Sequence, residues 1–455
     1  PKPSWVFLGL DGYTTAESIL GGSSRWSTVG EGSFYSFRDP GSRLSSWIAR
    51  LCLGTDLARA LPALLETPLR CRTEMQNSWD VIVIGAGVAG GLAAFDCARR
   101  GLRVLLVEKR SFPRWKVCGC CFNANALAAL TAAGLPNLIS DQGAVPLDQI
   151  RLGWSGKSLN LALPGGWALS RERFDQALVN AAEAAGATVR FQTSAVLEEM
   201  TTGGRMVRLR PSPGAPVERI KARVVLVAAG LQHQVIPPSH AASSRSTPES
   251  RLGAGCLIHD DDSSYEPGAI HMAIGQRGYV GLVRREDGAL NMAAAFDRAA
   301  VKSSGGVARA AEVVLMQSGF ALPRRLESSR WQLTPALTRR AGLFAGHRFF
   351  LLGDATGYVE PFTGEGMAWA LAAGAAVAPF VEEAQGEWSA DLERRWQKRL
   401  VDLTISRQRV CSVLSTLLRQ PLTTNALFNL GCQWPAIPQR IIRSLNRVSP
   451  LMASS

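Results

Sequence analysis

Apolar positions along the chain follow two rhythms that take turns. The first is the continuous run: Val81-Ile-Val-Ile84, Val104-Leu-Leu-Val107, Val224-Val-Leu-Val227 and Phe349-Phe-Leu-Leu352. Four apolar residues in a row predict strands buried on both faces of a parallel sheet. Helical stretches lie between them, at 92–100, 124–133 and 171–185, with Gly101 and Gly186 as stops. The second rhythm is alternation. Residues 149–163 predict two strands of a separate sheet, and 252–296 predict more, with a turn at Asp287-Gly288. Residues 196–209 and 219–227 read as a hairpin that feeds back into the first sheet. A helix is expected at 306–318, and a long one of small residues from Gly364 to about Val381. The Pro- and Ser-rich stretch 233–251 reads as an exposed loop.

The first run leads into Gly85-Ala-Gly-Val-Ala-Gly90, a G-x-G-x-x-G turn. Gly85 permits the tight turn, Gly87 lets a pyrophosphate approach the backbone, and Gly90 lets the next helix pack on its strand. Glu108 closes the following strand about 20 residues on, where an acid engages ribose hydroxyls. Strand, loop, helix, strand and acid are in register, so a dinucleotide is expected here.

Composition narrows the class. The 455 residues are 46% hydrophobic and 19% charged, a globular and rather apolar balance. No run of 18 uncharged apolar residues predicts a spanning helix. The net charge is +13, and residues 391–455 carry ten Arg/Lys against three Asp/Glu. No nucleic-acid motif accompanies that charge, and nucleic acid is not expected as a partner. Interleaved Leu, Ile and Phe suit peripheral contact with an anionic membrane; a solvated basic face is the plainer alternative. Nine scattered cysteines suit a reducing, cytoplasmic setting, and neither they nor the five histidines show zinc spacing. Residues 1–74 lack Met, are punctuated by Ser, Gly and Pro, and offer one helix near 45–65. They read as a poorly structured extension, with Met75 as the expected natural start; a transit peptide or a small genuine appendage are the alternatives.

Four stretches then point to a family. They are Gly85–Gly90 with Glu108; Phe112-Pro-Arg-Trp-Lys-Val-Cys-Gly119; Arg171-x-x-Phe-Asp175; and Gly353-Asp-Ala-Thr-Gly-Tyr-Val-Glu-Pro-Phe-Thr-Gly-Glu-Gly-Met367. In that order they resemble the geranylgeranyl reductase-like branch of the para-hydroxybenzoate hydroxylase superfamily, over roughly residues 78–385. The resemblance implies an α/β fold: a Rossmann-like FAD-binding domain (75–148, 165–250 and 340–385) interleaved with an antiparallel-sheet substrate domain (149–164 and 251–339). A helical, basic region (386–455) follows.

FAD is the implied cofactor. The implied contact residues are Gly85, Gly87, Ala89, Gly90, Glu108, Lys109, Cys118, Gly119, Arg171, Val196, Gly353, Asp354, Gly364, Gly366 and Met367. Asp354 would accept from ribityl hydroxyls, and 361–366 would set a helix N-terminus against the flavin pyrimidine edge. Lys116 or Arg114 would meet phosphate or substrate, or be solvated. Cys118 reads as a small apolar filler before it reads as a redox group.

Two departures matter. Ala228-Ala229-Gly230 stands where aromatic hydroxylases carry Asp-Gly, and the halogenases' Trp-x-Trp-x-x-Ile-Pro stretch is absent. The expectation is an FAD-dependent oxidoreductase that reduces a double bond of an apolar, lipid-like or polyprenyl substrate. The alternatives are a monooxygenase of an aromatic or polyketide-derived lipid, and a flavin-binding protein without turnover. NADPH, ferredoxin or a separate reductase would supply electrons. No catalytic dyad stands out.

Overall fold

The computed structural model describes residues 7–9, 34–36, 78–212, 214–231, 235–236, 245–247, 249–259, 264–340, 342–360, 362 and 364–448. The chain divides into two units, Pro1–Gln76 and Asn77–Ser455. In the first, the described residues form one antiparallel pair, Phe7–Gly9 with Phe34–Ser36. The helix expected near 45–65 and the rest of the expected extension lie outside the described residues. So do Pro361, Thr363 and most of the loop at 233–251.

The second unit is built on two large sheets. The first runs in the order Thr188–Arg190, Val104–Val107, Ser78–Ile84, Glu218–Val227, Gly204–Arg210, Ser194–Thr201. Its four central pairings involving Ser78–Ile84, Val104–Val107, Thr188–Arg190 and Phe349–Leu351 are parallel. The ten-residue strand Glu218–Val227 changes partners midway. Its first half pairs with Gly204–Arg210, its second half with Phe349–Leu351. That switch places the carboxyl ends of three apolar runs side by side, where open α/β sheets bind ligands.

The second sheet has the order Gln332–Ala336, Leu252–Ile258, Leu290–Phe296, Gly278–Arg284, Ala269–Gly275, Gln149–Trp154, Lys157–Ala162. Alternation marked the strands within 149–163 and 252–296, but not the edge strand Gln332–Ala336. One pairing within it, Ala269–Gly275 with Gln149–Trp154, is parallel.

Helices Val88–Arg99, Arg171–Ala184 and Gly366–Ala376 pack together on the first sheet. Small residues allow the approach: a Cβ at Gly374 would stand 2.7 Å from the Ala89 carbonyl oxygen. The single helix expected from Gly364 to about Val381 is two, Gly366–Ala376 and Ala378–Glu383. Pro379 causes the break, since it has no N–H to continue the ladder. The 29-residue helix Ala390–Leu418 docks through Trp396, fully buried against Phe350 and Phe380, with its indole N–H donating to the Leu351 carbonyl at 3.3 Å. Removing such a side chain costs about 3–5 kcal/mol. Helices Pro421–Gln433 and Ala436–Leu445 then lie on strand Lys157–Ala162. Among the described residues no helix is long and apolar enough to cross a membrane.

Candidate active site

The glycine turn follows directly from strand Ser78–Ile84. A Cβ at Gly85 would sit 2.4 Å from the Ala228 carbonyl oxygen, and one at Gly90 only 1.9 Å from that of Gly85. Neither position tolerates a side chain, so helix Val88–Arg99 starts hard against the strand. Its N-cap, Gly87, offers no capping side chain, and the first-turn N–H groups are left for an anion. The Glu108 carboxylate accepts from the Ala86 and Arg110 amides, each at 3.1 Å, which fixes it beneath the turn.

Two guanidinium groups converge on the same place. A Cβ at Gly87 would stand 3.7 Å from Arg114 Nη2 and 3.8 Å from Arg171 Nη2. Arg171 is held by Asp175 through two 2.8 Å hydrogen bonds, one helical turn along its own helix. Burial works against its charge, but Asp175 and Cys118 outweigh it and raise its pKa. Arg114 leans on Asp175 at 3.2 Å and Glu108 at 3.6 Å, and among the described residues its buried Nε has no partner. The expectation for Arg171 named half of this cluster; Arg114 was one of two open candidates.

Beside this helix start, Gly353 takes φ +57° and packs against Ala89, whose Cβ lies 3.0 Å from where its own would be. Asp354 follows on a 3-10 turn. Burial raises its pKa against the pull of Lys116 and Arg171, so this carboxylate sits beside two cations. Tyr358 comes next, its hydroxyl 3.2 Å from a Cβ built on Gly366. Met367 Sδ lies 3.7 Å from Cys118 Sγ. The Cys118 thiol is pushed down to about 6, chiefly by hydrogen bonding to Cys120, with Arg171 helping and burial opposing. Burial holds Cys121 up at about 12.

Fourteen of the fifteen expected contact residues line one cavity of about 820 Å3; Gly90 is buried behind it. Lys109 is at its exposed rim and Val196 is half-buried in its wall. The cavity does not end at the cofactor-type residues. It continues past Tyr279 between strands Gln149–Trp154 and Lys157–Ala162 and the C-terminal helices, where Leu152, Leu161, Leu414, Leu418, Phe428 and Ile441 line it. Sequence reasoning missed this roof. The available signal was the i, i+4 spacing of Leu414 with Leu418 and of Ile437 with Ile441.

A groove with a side-chain-free turn, uncapped helix amides, two cations and carboxylates at both ends fits a flavin dinucleotide. Residues 78–378 match the model of the FAD binding domain. The chain belongs to that family. It is an FAD-dependent oxidoreductase.

It is 28% identical to menaquinone reductase of Mycobacterium tuberculosis over 352 residues, 72% of this chain and 81% of that protein. With digeranylgeranylglycerophospholipid reductase 2 of Methanopyrus kandleri it shares 25% identity over 70% of this chain and 82% of the relative. Among solved structures, a flavoprotein/dehydrogenase from Cytophaga hutchinsonii superposes with TM-score 0.65 at 18% identity, covering 81% and 92% of the two chains. The flavin-dependent brominase Bmp2 does so with TM-score 0.66 at 16% identity, over 81% and 93%. These last two speak to the fold alone.

Proposed function

We propose that this FAD enzyme reduces a carbon–carbon double bond in an isoprenoid-type lipid. One observation carries the reading: the cofactor groove and an aliphatic corridor are a single cavity. Reduced FAD supplies the hydride in such chemistry, and the protein supplies binding, orientation and dryness.

The chain's own residues divide that work. Gly85, Gly87 and the amides of helix Val88–Arg99 would receive the pyrophosphate, with Arg114 and Arg171 neutralising it. Glu108 would hold the adenosine ribose and Asp354 the ribityl chain. Cys118, Gly119, Gly366 and Met367 would face the ring. The uncapped N-terminus of helix Gly366–Ala376 favours negative charge there. The phenols of Tyr279 and Tyr358 are kept protonated by burial and stand on the cavity wall, so each keeps its proton at Oη. Leu152, Leu161 and Leu418 exclude water.

The relatives named as menaquinone and geranylgeranyl lipid reductases support a long apolar substrate. The corridor opens among Leu430, Ile437 and Ile441, which are 42%, 42% and 51% exposed. With Arg440, Arg443 and Arg447 beside them, they support uptake from an anionic membrane surface.

The test is incubation of the FAD-loaded, chemically reduced protein with a geranylgeranyl lipid that carries no quinone, with and without oxygen. Mass spectrometry of the extract should show a gain of two hydrogens under both conditions. A gain of one oxygen, seen only in air, would make the protein a monooxygenase instead.

A further inference from the structure

The family match stops at residue 378, yet two arginines beyond it reach back to the segment before helix Gly366–Ala376. Glu360 and Glu365 bracket that segment and are 1% and 2% exposed. Glu365 Oε1 pairs with Arg407 Nη1 at 2.6 Å, and the Cys411 thiol donates to its Oε2 at 3.8 Å. Glu360 Oε2 pairs with Arg419 Nη2 at 2.9 Å, and its Oε1 with Arg251 Nη1 at 3.0 Å. Arg407 also donates to the carbonyls of Leu445 and Arg447, at 2.8 and 2.6 Å.

Arg407, Cys411, Leu414 and Leu418 recur at i, i+4, i+7 and i+11 on helix Ala390–Leu418, so they share one face. The upper part of that face grips Glu365. The lower part lines the cavity.

We propose that Arg407 and Arg419 are positioning residues for the flavin. They neutralise Glu365 and Glu360, and so set both the place and the local charge of the helix start that Gly366 and Met367 present to the cavity. The inference rests on the functional reading that the flavin ring lies at this helix start. A helix N-terminus carries roughly half a positive charge. An unpaired Glu365 carboxylate one residue before it would cancel that charge and oppose reduction of the ring. A clamp that only held the fold together would leave the flavin potential untouched.

The experiment compares midpoint potential, FAD affinity and thermal melting in wild type, Arg407→Gln, Arg407→Lys, Glu365→Gln, the double variant Arg407→Gln/Glu365→Gln, and Arg419→Gln. Arg407→Gln should shift the potential negative; tenfold weaker holding of reduced relative to oxidised flavin corresponds to about 30 mV for a two-electron couple. Arg407→Lys should keep most of the wild-type value, and the double variant should return toward it. Arg419→Gln should move the same way but less, since Arg251 still faces Glu360. Should Arg407→Gln not fold, Glu365→Gln decides, because it leaves the Arg407 charge unopposed and should shift the potential positive.

Potentials and FAD affinities that stay at wild-type values in Glu365→Gln and in the Arg407 variants would overturn the inference while leaving the enzyme a flavoprotein. A wild-type chain that takes up no FAD would overturn both it and the functional reading.

Discussion

The Asn291 side-chain amide donates to the main-chain carbonyl of Cys118 at 2.9 Å. Asn291 is fully buried in the middle of the second sheet, whereas Cys118 belongs to the segment that resembles a flavin-facing loop. One hydrogen bond therefore registers the loop against the substrate-side sheet, and turns the Gly119 amide, on the far side of the same planar peptide, away from Asn291. Replacing Asn291 by Leu keeps the branching of the side chain and strands a buried carbonyl. Denaturant unfolding should show a loss of about 1–3 kcal/mol, with weaker FAD binding. Unchanged stability would mean the link is idle.

Gly90 and Gly119 should separate packing from cofactor approach. Gly90→Ala drives a Cβ into the Gly85 carbonyl, which no side-chain motion relieves. FAD-free protein should already lose about 1–3 kcal/mol or more. Gly119 has nothing within 4 Å of its would-be Cβ. Gly119→Ala should melt like wild type without FAD and still bind FAD at least several-fold more weakly in a fluorescence titration. Equal FAD affinity would remove Gly119 from the contact set.

Cys118 should be the reactive thiol of its cluster. Iodoacetamide at pH 7 should label it with a rate midpoint near pH 6, while Cys121, held at about 12, stays inert. Bound FAD should protect it. Its folded pKa is below its ordinary value of 9.0, so the thiolate stabilises the fold. That contribution is complete above about pH 9 and is lost as pH falls through about 6. Cys118→Ser should flatten stability across that window, and peptide mapping after alkylation reads the site directly.

The proposed uptake from a membrane should be separable from chemistry. Changing Leu430, Ile437 and Ile441 to Asp together should abolish flotation with vesicles containing anionic lipid. It should leave the absorption spectrum of bound FAD intact, because none of the three belongs to the cofactor groove. Binding of the wild type should weaken as salt rises, since exposed Arg440, Arg443 and Arg447 are screened within about 10 Å at 0.1 M.

Local pattern carried the cofactor half of the molecule. Val81–Ile84 and Phe349–Leu351 form strands from runs that no polar residue interrupts, and Gly85 and Gly90 announce a turn whose geometry excludes a Cβ. The roof was illegible for a physical reason. The Arg407–Glu365 pair joins residues 42 apart, and nothing in either neighbourhood says which helical face meets which loop. The same holds for Arg251 and Arg419 sharing Glu360, and for Asn291 reaching Cys118 across 173 residues. Such pairs depend on tertiary arrangement, and a run of basic residues with interleaved Leu looks the same on a solvated surface. Pro379, by contrast, is legible in the sequence as a helix breaker.

The partner switch within Glu218–Val227 has a consequence for how the protein is made. Strand Ser78–Ile84 emerges from the ribosome about 140 residues before its neighbour Glu218–Val227 does, and the second half of that neighbour waits for Phe349–Leu351. Three strongly apolar runs are thus translated well before the fourth, Phe349–Leu351, can close the sheet that buries them, and Trp396 covers that sheet later still. Pairing at such separations is slow and leaves sticky edges exposed. A nascent chain of this design gains from any shielding of those runs until Phe349–Leu351 has been made.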